Sequence, residues 1–170
     1  MNKVLINIIR FIGLILLQVL VLNNIRFGGY INPYVYILFV MMLPFAMPGW
    51  MLLLAGFGMG LVVDMFMSTP GLHAGAGVFI AFARPFVVQL ATGSKEPENV
   101  SDPSLSKMGS RWWFSYTVTL VFAHHFILFF LESFSFSQFW STLWRIIISV
   151  TFTEILILLL SLFFIDRKSR

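Results

Sequence analysis

An acid and a histidine that could take part in acid–base or metal chemistry stand close together in the stretch GLVVDMFMSTPGLHAGAGVF, residues 60–79. They are Asp64 and His73, and both residue types are common general acids, bases and metal ligands. Between them lie Pro70 and Gly71, residue types that set a tight turn at low cost. Two interpretations stay open: a chemical site, or a turn between two helices in which Asp64 supports the turn or contacts a partner and His73 is hydrated and hydrogen-bonded.

The remaining reactive side chains form no recognisable catalytic pattern. Ser68 would need a base within hydrogen-bond reach to act as a nucleophile, and its surroundings lack a nucleophile-elbow pattern. His124 and His125 are adjacent, so on a helix they point about 100° apart and do not converge on one ion as an i, i+4 pair does. The chain contains no cysteine, which excludes thiolate sites. We therefore predict no catalytic residue, no metal site and no cofactor, and we expect at least one of the two histidines to face the bundle and make a hydrogen bond.

Glu154 is the most informative single acid, because it lies near the middle of a long apolar segment. A charge at the centre of a membrane helix costs about 2.5–3.5 kcal/mol on insertion scales. We expect Glu154 to be protonated or paired, with Arg10 and Arg84 as candidate partners. Both arginines could instead extend their charged ends to the membrane surface.

The composition points to lipid as the main solvent of these segments. Hydrophobic residues make up 59% of the 170 residues and charged residues only 11%, about half the usual share of a soluble domain. The net charge of +4 comes without a basic stripe interleaved with aromatic residues, so we expect no nucleic-acid partner.

The apolar segments have the lengths of membrane helices. About 20 apolar residues are needed to cross a bilayer, and no run alternates as a barrel strand would. We predict an all-α membrane protein with one domain, a six-transmembrane-helix bundle. The second span is short and contains Pro33 and Pro44, so we expect it to be tilted little or broken. The predicted spans are residues 4–22, 30–46, 50–67, 72–90, 112–131 and 143–165, with a polar loop at 92–111.

The distribution of basic residues predicts the orientation, since Lys and Arg near the ends of spans stay in the cytoplasm. Arg26 alone lies in the loops of the opposite side. We therefore expect both termini in the cytoplasm. The side that holds the termini and the 92–111 loop carries Lys3, Lys95, Lys107, Arg111, Arg167, Lys168 and Arg170.

Small residues at a spacing of four predict where helices pack closely. Gly56 and Gly60 lie on the third span, and Gly77 and Ala81 lie on the fourth. Such pairs allow backbones to approach each other in lipid.

Two stretches, INPYVYILFVMMLPF and GLVVDMFMSTPGLHAGAGVFIAFARPF, carry a resemblance to a known family. Over residues 30 to 90 the chain resembles the rod shape-determining proteins of the MreD family. The positions that match are Asn32, Pro33, Tyr34, Pro44, Asp64, Pro70, Gly71, Leu72, His73, Arg84 and Pro85.

This resemblance implies a six-helix bundle similar to the substrate-binding components of energy-coupling-factor transporters. It implies a non-enzymatic scaffold in the bacterial inner membrane, within the elongasome that directs peptidoglycan synthesis and cell shape. The expected partners are the periplasmic scaffold protein MreC, RodA and its transpeptidase, MreB filaments indirectly, and membrane lipids. Asp64, Pro70, Gly71, His73, Arg84 and Glu154 are the candidate partner-binding or structural polar residues.

Two other classes of function remain as alternatives. A vitamin-type transporter component would use an outward cavity lined by Asp64, His73, His124 and aromatic residues. The first helix, however, lacks the alanine-x-x-x-alanine docking motif of such components. An intramembrane enzyme would depend on Ser68, Asp64 and a histidine.

Overall fold

The computed structural model describes residues 3–25, 31–93, 97, 100–133 and 139–163. These residues form an all-helical bundle in which five helices are long and apolar enough to cross a membrane, as in a multi-pass membrane protein. The first is α1, Lys3–Leu16, which continues through a π-helical turn, Leu17–Val21, and a 3₁₀ turn, Leu22–Asn24. The others are α3, Gly49–Met67; α4, Leu72–Thr92; α6, Ser110–Ser133; and α7, Phe139–Phe163. Two short helices are α2, Leu38–Met41, and α5, Leu105–Met108.

The predicted second membrane helix is not a long helix. Within residues 31–44, which we call the broken segment, a 3₁₀ turn at Val35–Ile37 leads into the four-residue helix α2, and irregular backbone flanks both. Pro33 and Pro44 stand near its two ends, where each removes a backbone donor. The expectation that the second span is broken is therefore confirmed, and five of the six predicted spans are long helices among the described residues. Arg26, Tyr30 and the last residues of the predicted sixth span lie outside the described residues.

Helices α3 and α4 form a tight antiparallel hairpin. A Cβ atom added at Gly56 would lie 2.5 Å from the carbonyl oxygen of Gly77 and 3.0 Å from the Ala81 Cβ, and one added at Gly60 would overlap the backbone of His73. Only a residue without a side chain permits this approach. We call the end of the bundle at residues 68–71 the hairpin end, and the end at residues 93–109 the loop end.

Helices α4 and α6 lie at the centre of the bundle and α1 lies at its edge. In the most apolar window of α4 and of α6, 44% of residues are buried, against 17% in α1. The lipid-facing side of α1 exposes Ile9 and Leu20, as expected for a helix in contact with acyl chains. The broken segment is enclosed, because residues 33–43 are all buried.

Candidate functional site

Gln18 of α1 supplies hydrogen bonds to the start of the broken segment. Its side-chain oxygen accepts from the backbone N–H groups of Val35, at 2.9 Å, and Tyr36, at 3.4 Å. Its amide nitrogen donates to the carbonyl oxygen of Pro33 at 3.0 Å. Gln18 is itself only 1% exposed. One buried side chain thus satisfies three backbone groups that a regular helix would have paired internally.

Two hydroxyl groups on α7 accept hydrogen bonds from further backbone N–H groups at the start of the broken segment. Ser149 accepts from the backbone N–H of Asn32, and Thr153 accepts from that of Tyr34, each at 3.2 Å. Irregular backbone at membrane depth is tolerated only where protein groups replace its lost hydrogen bonds. These contacts therefore explain how a segment without a membrane-length helix stays inside the bundle.

Arg84 of α4 performs the same role nearer the loop end. Its guanidinium donates to the carbonyl oxygens of Leu43 and, at 3.5 Å, Pro44, and its Nε donates to the Tyr116 hydroxyl at 2.9 Å. Tyr116 in turn donates to the Met41 carbonyl oxygen at 2.8 Å. Arg84 is 3% exposed, so it does not extend to the surface, and it forms no ion pair with an acid among the described residues.

Glu154 does not pair with either candidate arginine, Arg10 or Arg84, so of the two expectations only the protonated carboxyl stays open. One carboxylate oxygen of Glu154 accepts from the Thr117 hydroxyl, and the other has no hydrogen-bond partner among the described residues. Arg10 instead donates to Asn7 on its own helix, at 3.4 Å. The attraction of Arg84 to the bare carbonyl oxygens of the broken segment removes it from Glu154.

His73 is buried and hydrogen-bonded, contrary to the expectation that it is hydrated. It is 1% exposed, and its Nδ1 lies 3.1 Å from the Tyr36 hydroxyl. The same hydroxyl lies 2.6 Å from Nε2 of His124. Tyr36 therefore links α4 and α6 through the broken segment, and the expected solvent shell of His73 is replaced by aromatic rings, including Tyr34 at 4.8 Å.

His125 has a defined tautomer. Its Nδ1 lies 2.9 Å from the Val121 carbonyl oxygen, which only accepts, so Nδ1 carries the proton. Its Nε2 then accepts from the Thr153 hydroxyl at 3.2 Å. Both adjacent histidines are thus buried and bonded, each to a different part of the bundle.

Asp64, near the end of α3, caps the N-terminus of α4, whose N-cap position itself is held by Gly71. Its two carboxylate oxygens accept from the backbone N–H groups of His73, at 3.0 Å, and Ala74, at 2.9 Å. Thr69 also donates to it, at 2.9 Å. A carboxylate at a helix N-terminus satisfies free N–H groups and interacts favourably with the helix dipole. At 3% exposure Asp64 is not a hydrated surface acid, and its oxygens are directed into the protein.

The turn itself has the backbone that its residues favour. Gly71 has φ +86°, which glycine adopts without strain, and Pro70 precedes it at an exposed position. Ser68 ends α3 at φ +56° and shares no hydrogen bond with a histidine among the described residues. Its geometry is that of a helix C-terminus, without the base that a nucleophile requires.

A cavity of about 240 Å³ opens at the hairpin end beside the broken segment. The carrier interpretation placed Asp64, His73 and His124 around such a cavity, but only His73 lines it. The polar residues that line it are Asn32, Tyr34, Thr69, His73, Glu132 and Arg145. The described residues contain no cluster of three side chains that could hold a metal ion.

The sequence did not reveal which residues hydrogen-bond to the broken segment. Gln18 could have been suspected, because it is a lone amide in an apolar helix and an amide in lipid needs a hydrogen-bond partner. Ser149 and Thr153 gave no such signal, because serine and threonine hydroxyl groups on helices commonly bond to their own backbone. Tyr116 gave none either, since tyrosine is common in membrane proteins at the interface with water.

Comparisons with protein-family models, with curated proteins and with solved structures found no match to this chain.

Proposed function

We propose that this protein is a non-enzymatic scaffold of the cell-wall elongation machinery, of the MreD type, in the bacterial inner membrane. It binds MreC and links it to RodA and its transpeptidase, and indirectly to MreB filaments. Its termini and loop end face the cytoplasm, and its hairpin end faces the periplasm. The resemblance of residues 30–90 to that family is the starting point.

One observation carries the proposal: the residues that carry the resemblance act together in the structure. Asn32, Tyr34 and Pro44 belong to the broken segment, and Arg84 binds its far end. His73 bonds to Tyr36 within it, while Asp64 fixes the start of the helix that carries both His73 and Arg84. Because the residues that match the family maintain one unusual element, the broken segment, the match supports a shared architecture. Matches scattered over the bundle would support it less.

The use of the polar groups supports a scaffold over an enzyme. Asp64, His73 and Arg84 are buried and bonded to backbone or to aromatic hydroxyl groups, which gives them structural roles. The helices meanwhile present large apolar side chains outward, such as Phe82 and Trp144. An apolar exterior suits the docking of partner membrane helices and lipids.

Affinity purification from native membranes, followed by mass spectrometry, tests the proposal. We expect an MreC-like protein to be recovered with the wild type and in lower yield with Gly56→Leu and Asp64→Ala, which displace α4. Gly58→Leu is the matched control, since a Cβ atom there meets nothing within 4 Å. Equal recovery with all four proteins, or no cell-wall protein with the wild type, would overturn it. Reporter fusions at the C-terminus test the orientation separately.

A transporter component is the second candidate, because broken segments beside cavities are a feature of substrate sites in membrane carriers. The cavity here, at about 240 Å³, is smaller than the pockets of about 300–1,000 Å³ that enclose most small-molecule ligands. Calorimetry with a panel of vitamins decides between the two. Tight binding of one vitamin would favour the carrier.

A further inference from the structure

The cavity at the hairpin end is polar in an otherwise apolar bundle. It lies where the broken segment, α4, α6 and α7 meet, and aliphatic side chains such as Leu72 and Leu128 complete its walls. Two of its polar residues, Tyr34 and His73, are 4% and 1% exposed. Among the described residues the Tyr34 hydroxyl and the Nε2 of His73 take part in no hydrogen bond, and neither atom is fully buried, so both are accessible from the cavity. Polar groups that are accessible in such a cavity can hydrogen-bond to a ligand or to water.

Arg145 forms one wall of the cavity and is held in place on several sides. Its Nη1 pairs with Glu132 at 2.9 Å, and its guanidinium lies 4.2 Å from the centre of the Phe129 ring. With the Asn32 amide turned so that its oxygen faces Arg145, that oxygen accepts from Nη2 at 2.6 Å. The Nε is buried without a partner. A fixed, partly desolvated guanidinium is the preferred protein group for binding a carboxylate.

The tautomer of His73 follows from the hydrogen bonds behind it. Tyr36 has one hydroxyl proton to share between His73 and His124. Nδ1 of His124 is buried without a partner, and an orphaned donor is rarer in proteins than an orphaned acceptor. The proton of His124 is therefore on Nε2, Tyr36 donates to His73 Nδ1, and His73 carries its proton on Nε2, the atom left for the cavity.

The cavity thus presents donors: the His73 Nε2–H, the Tyr34 hydroxyl and the Arg145 guanidinium. We propose that it is a binding site for a single carboxylate group, from a free small organic acid or from an acidic side chain of a partner protein. Its volume fits one such group with a short aliphatic stem. The cavity has this chemistry whichever side of the membrane the hairpin end faces.

In the structure the Glu132 carboxylate occupies the position on Arg145 that the ligand carboxylate would take. It lies next to the end of α6, and its side chain is 43% exposed against 26% for that of Arg145, so it is the more easily displaced member of the ion pair. An incoming carboxylate exchanges places with Glu132 on the guanidinium and gains the His73 and Tyr34 donors, which Glu132 does not contact. Glu132 therefore competes with the ligand, and its removal should tighten binding.

The three histidines of the chain allow a direct test. In protein labelled with ¹³C at histidine Cε1, in lipid nanodiscs at constant pH, titration with sodium acetate or propionate should shift the His73 ring signal saturably. That signal is identified by its loss in His73→Gln. His124 and His125 do not line the cavity, and His124 is joined to His73 only through Tyr36, so their signals should shift less than that of His73. Sodium chloride at equal ionic strength should produce no saturable shift.

Two variants test the roles of the ion pair. Glu132→Gln should lower the acetate Kd several-fold, a gain that misfolding does not imitate. Arg145→Gln should weaken binding by about tenfold or more, as expected for loss of a charge-assisted hydrogen bond. Arg111→Gln, on an exposed residue at the loop end, is the control and should leave the Kd unchanged.

A photo-crosslinking residue at Leu72, in growing cells, identifies the source of the carboxylate. A protein adduct whose formation requires Arg145 indicates a partner's acidic side chain, and acetate binding without an adduct indicates a free acid. Absence of a saturable His73 shift, or a Glu132→Gln variant that binds acetate no better than the wild type, would overturn the proposal. Neither outcome depends on recovery of an MreC-like protein.

Discussion

The side-chain oxygen of Gln18 and the backbone N–H of Val35 are joined by a hydrogen bond of 2.9 Å. This contact ties the most exposed long helix of the described bundle to the buried broken segment. It also shows what stabilises the broken segment: side chains from neighbouring helices replace the backbone bonds that a continuous helix would have formed.

We expect Gln18→Leu to destabilise the protein. The change leaves the N–H groups of Val35 and Tyr36 and the carbonyl of Pro33 without partners, at about 1–3 kcal/mol for each group that finds none. Unfolding in mixed micelles with increasing SDS measures the loss. Leu20→Ala, on an exposed residue of the same helix, is the control. Equal unfolding midpoints for the two variants would contradict the role given to Gln18.

Arg84 and Tyr116 should behave as one unit. Arg84→Met and Tyr116→Phe each break the bond between them and free carbonyl oxygens of the broken segment. We expect the double variant to lose less than the sum of the single losses, by about 0.5–3 kcal/mol, as is found for residues in contact. Thr69→Val, at the opposite end of α4, should add to Arg84→Met within about 0.5 kcal/mol. Additive losses for Arg84 and Tyr116 would show that their contact is energetically unimportant.

Gly56→Leu should destabilise the α3–α4 hairpin, whereas Gly58→Leu should not. A side chain at Gly56 meets the backbone of Gly77, and such overpacking commonly costs about 1–3 kcal/mol. The same SDS titration reports the loss. If Gly58→Leu proved as damaging as Gly56→Leu, side-chain size on α3 in general would be responsible, and not the close approach to α4.

The cap provided by Asp64 should depend on both carboxylate oxygens, since one accepts from His73 and the other from Ala74. Asparagine keeps one acceptor and turns an NH2 donor toward the other N–H group, whereas alanine removes both acceptors, and loss of a cap costs about 0.5–2 kcal/mol. We therefore expect thermal stability in the order wild type, Asp64→Asn, Asp64→Ala, and faster proteolysis near residues 68–71 in the alanine variant. An alanine variant as stable and as resistant as the wild type would exclude the capping role.

Glu154→Gln should leave stability unchanged or raise it. Neither ion pair of the described residues includes Glu154, and a buried charge without a partner is costly. Glutamine keeps an oxygen for the Thr117 hydroxyl. A marked loss of stability in Glu154→Gln, with Thr117→Val measured alongside, would show that the carboxylate has a charged partner outside the described residues.

The membrane helices could be read from the sequence because their signal is local. Runs such as residues 50–67 and 112–131 need no knowledge of their neighbours, and the structure has helices there. The break between Asn32 and Pro44 could be anticipated from its prolines, but not its path, since the groups that pair it lie on four helices far away in sequence.

The polar residues also divide into those whose role can be read from nearby sequence and those whose role depends on distant contacts. Asp64 and the Pro70-Gly71 turn are close in sequence, so helix capping was one of the two interpretations the residues allowed. His73 and Arg84 depend on Tyr36 and Leu43, contacts set by the tertiary structure alone. Composition also could not predict that Glu132 and Arg145, on different helices, meet at a cavity.

The groups that hydrogen-bond to the broken segment lie both before and after it in the chain, and their order of synthesis affects how the protein is inserted into the membrane. Gln18 emerges from the ribosome before this segment, but Ser149 and Thr153 follow their partners in it by 117 and 119 residues. A nascent chain that ends before them carries bare amide groups in the broken segment. That segment therefore has to wait, sheltered by the insertion machinery, until α7 arrives to complete its hydrogen bonds.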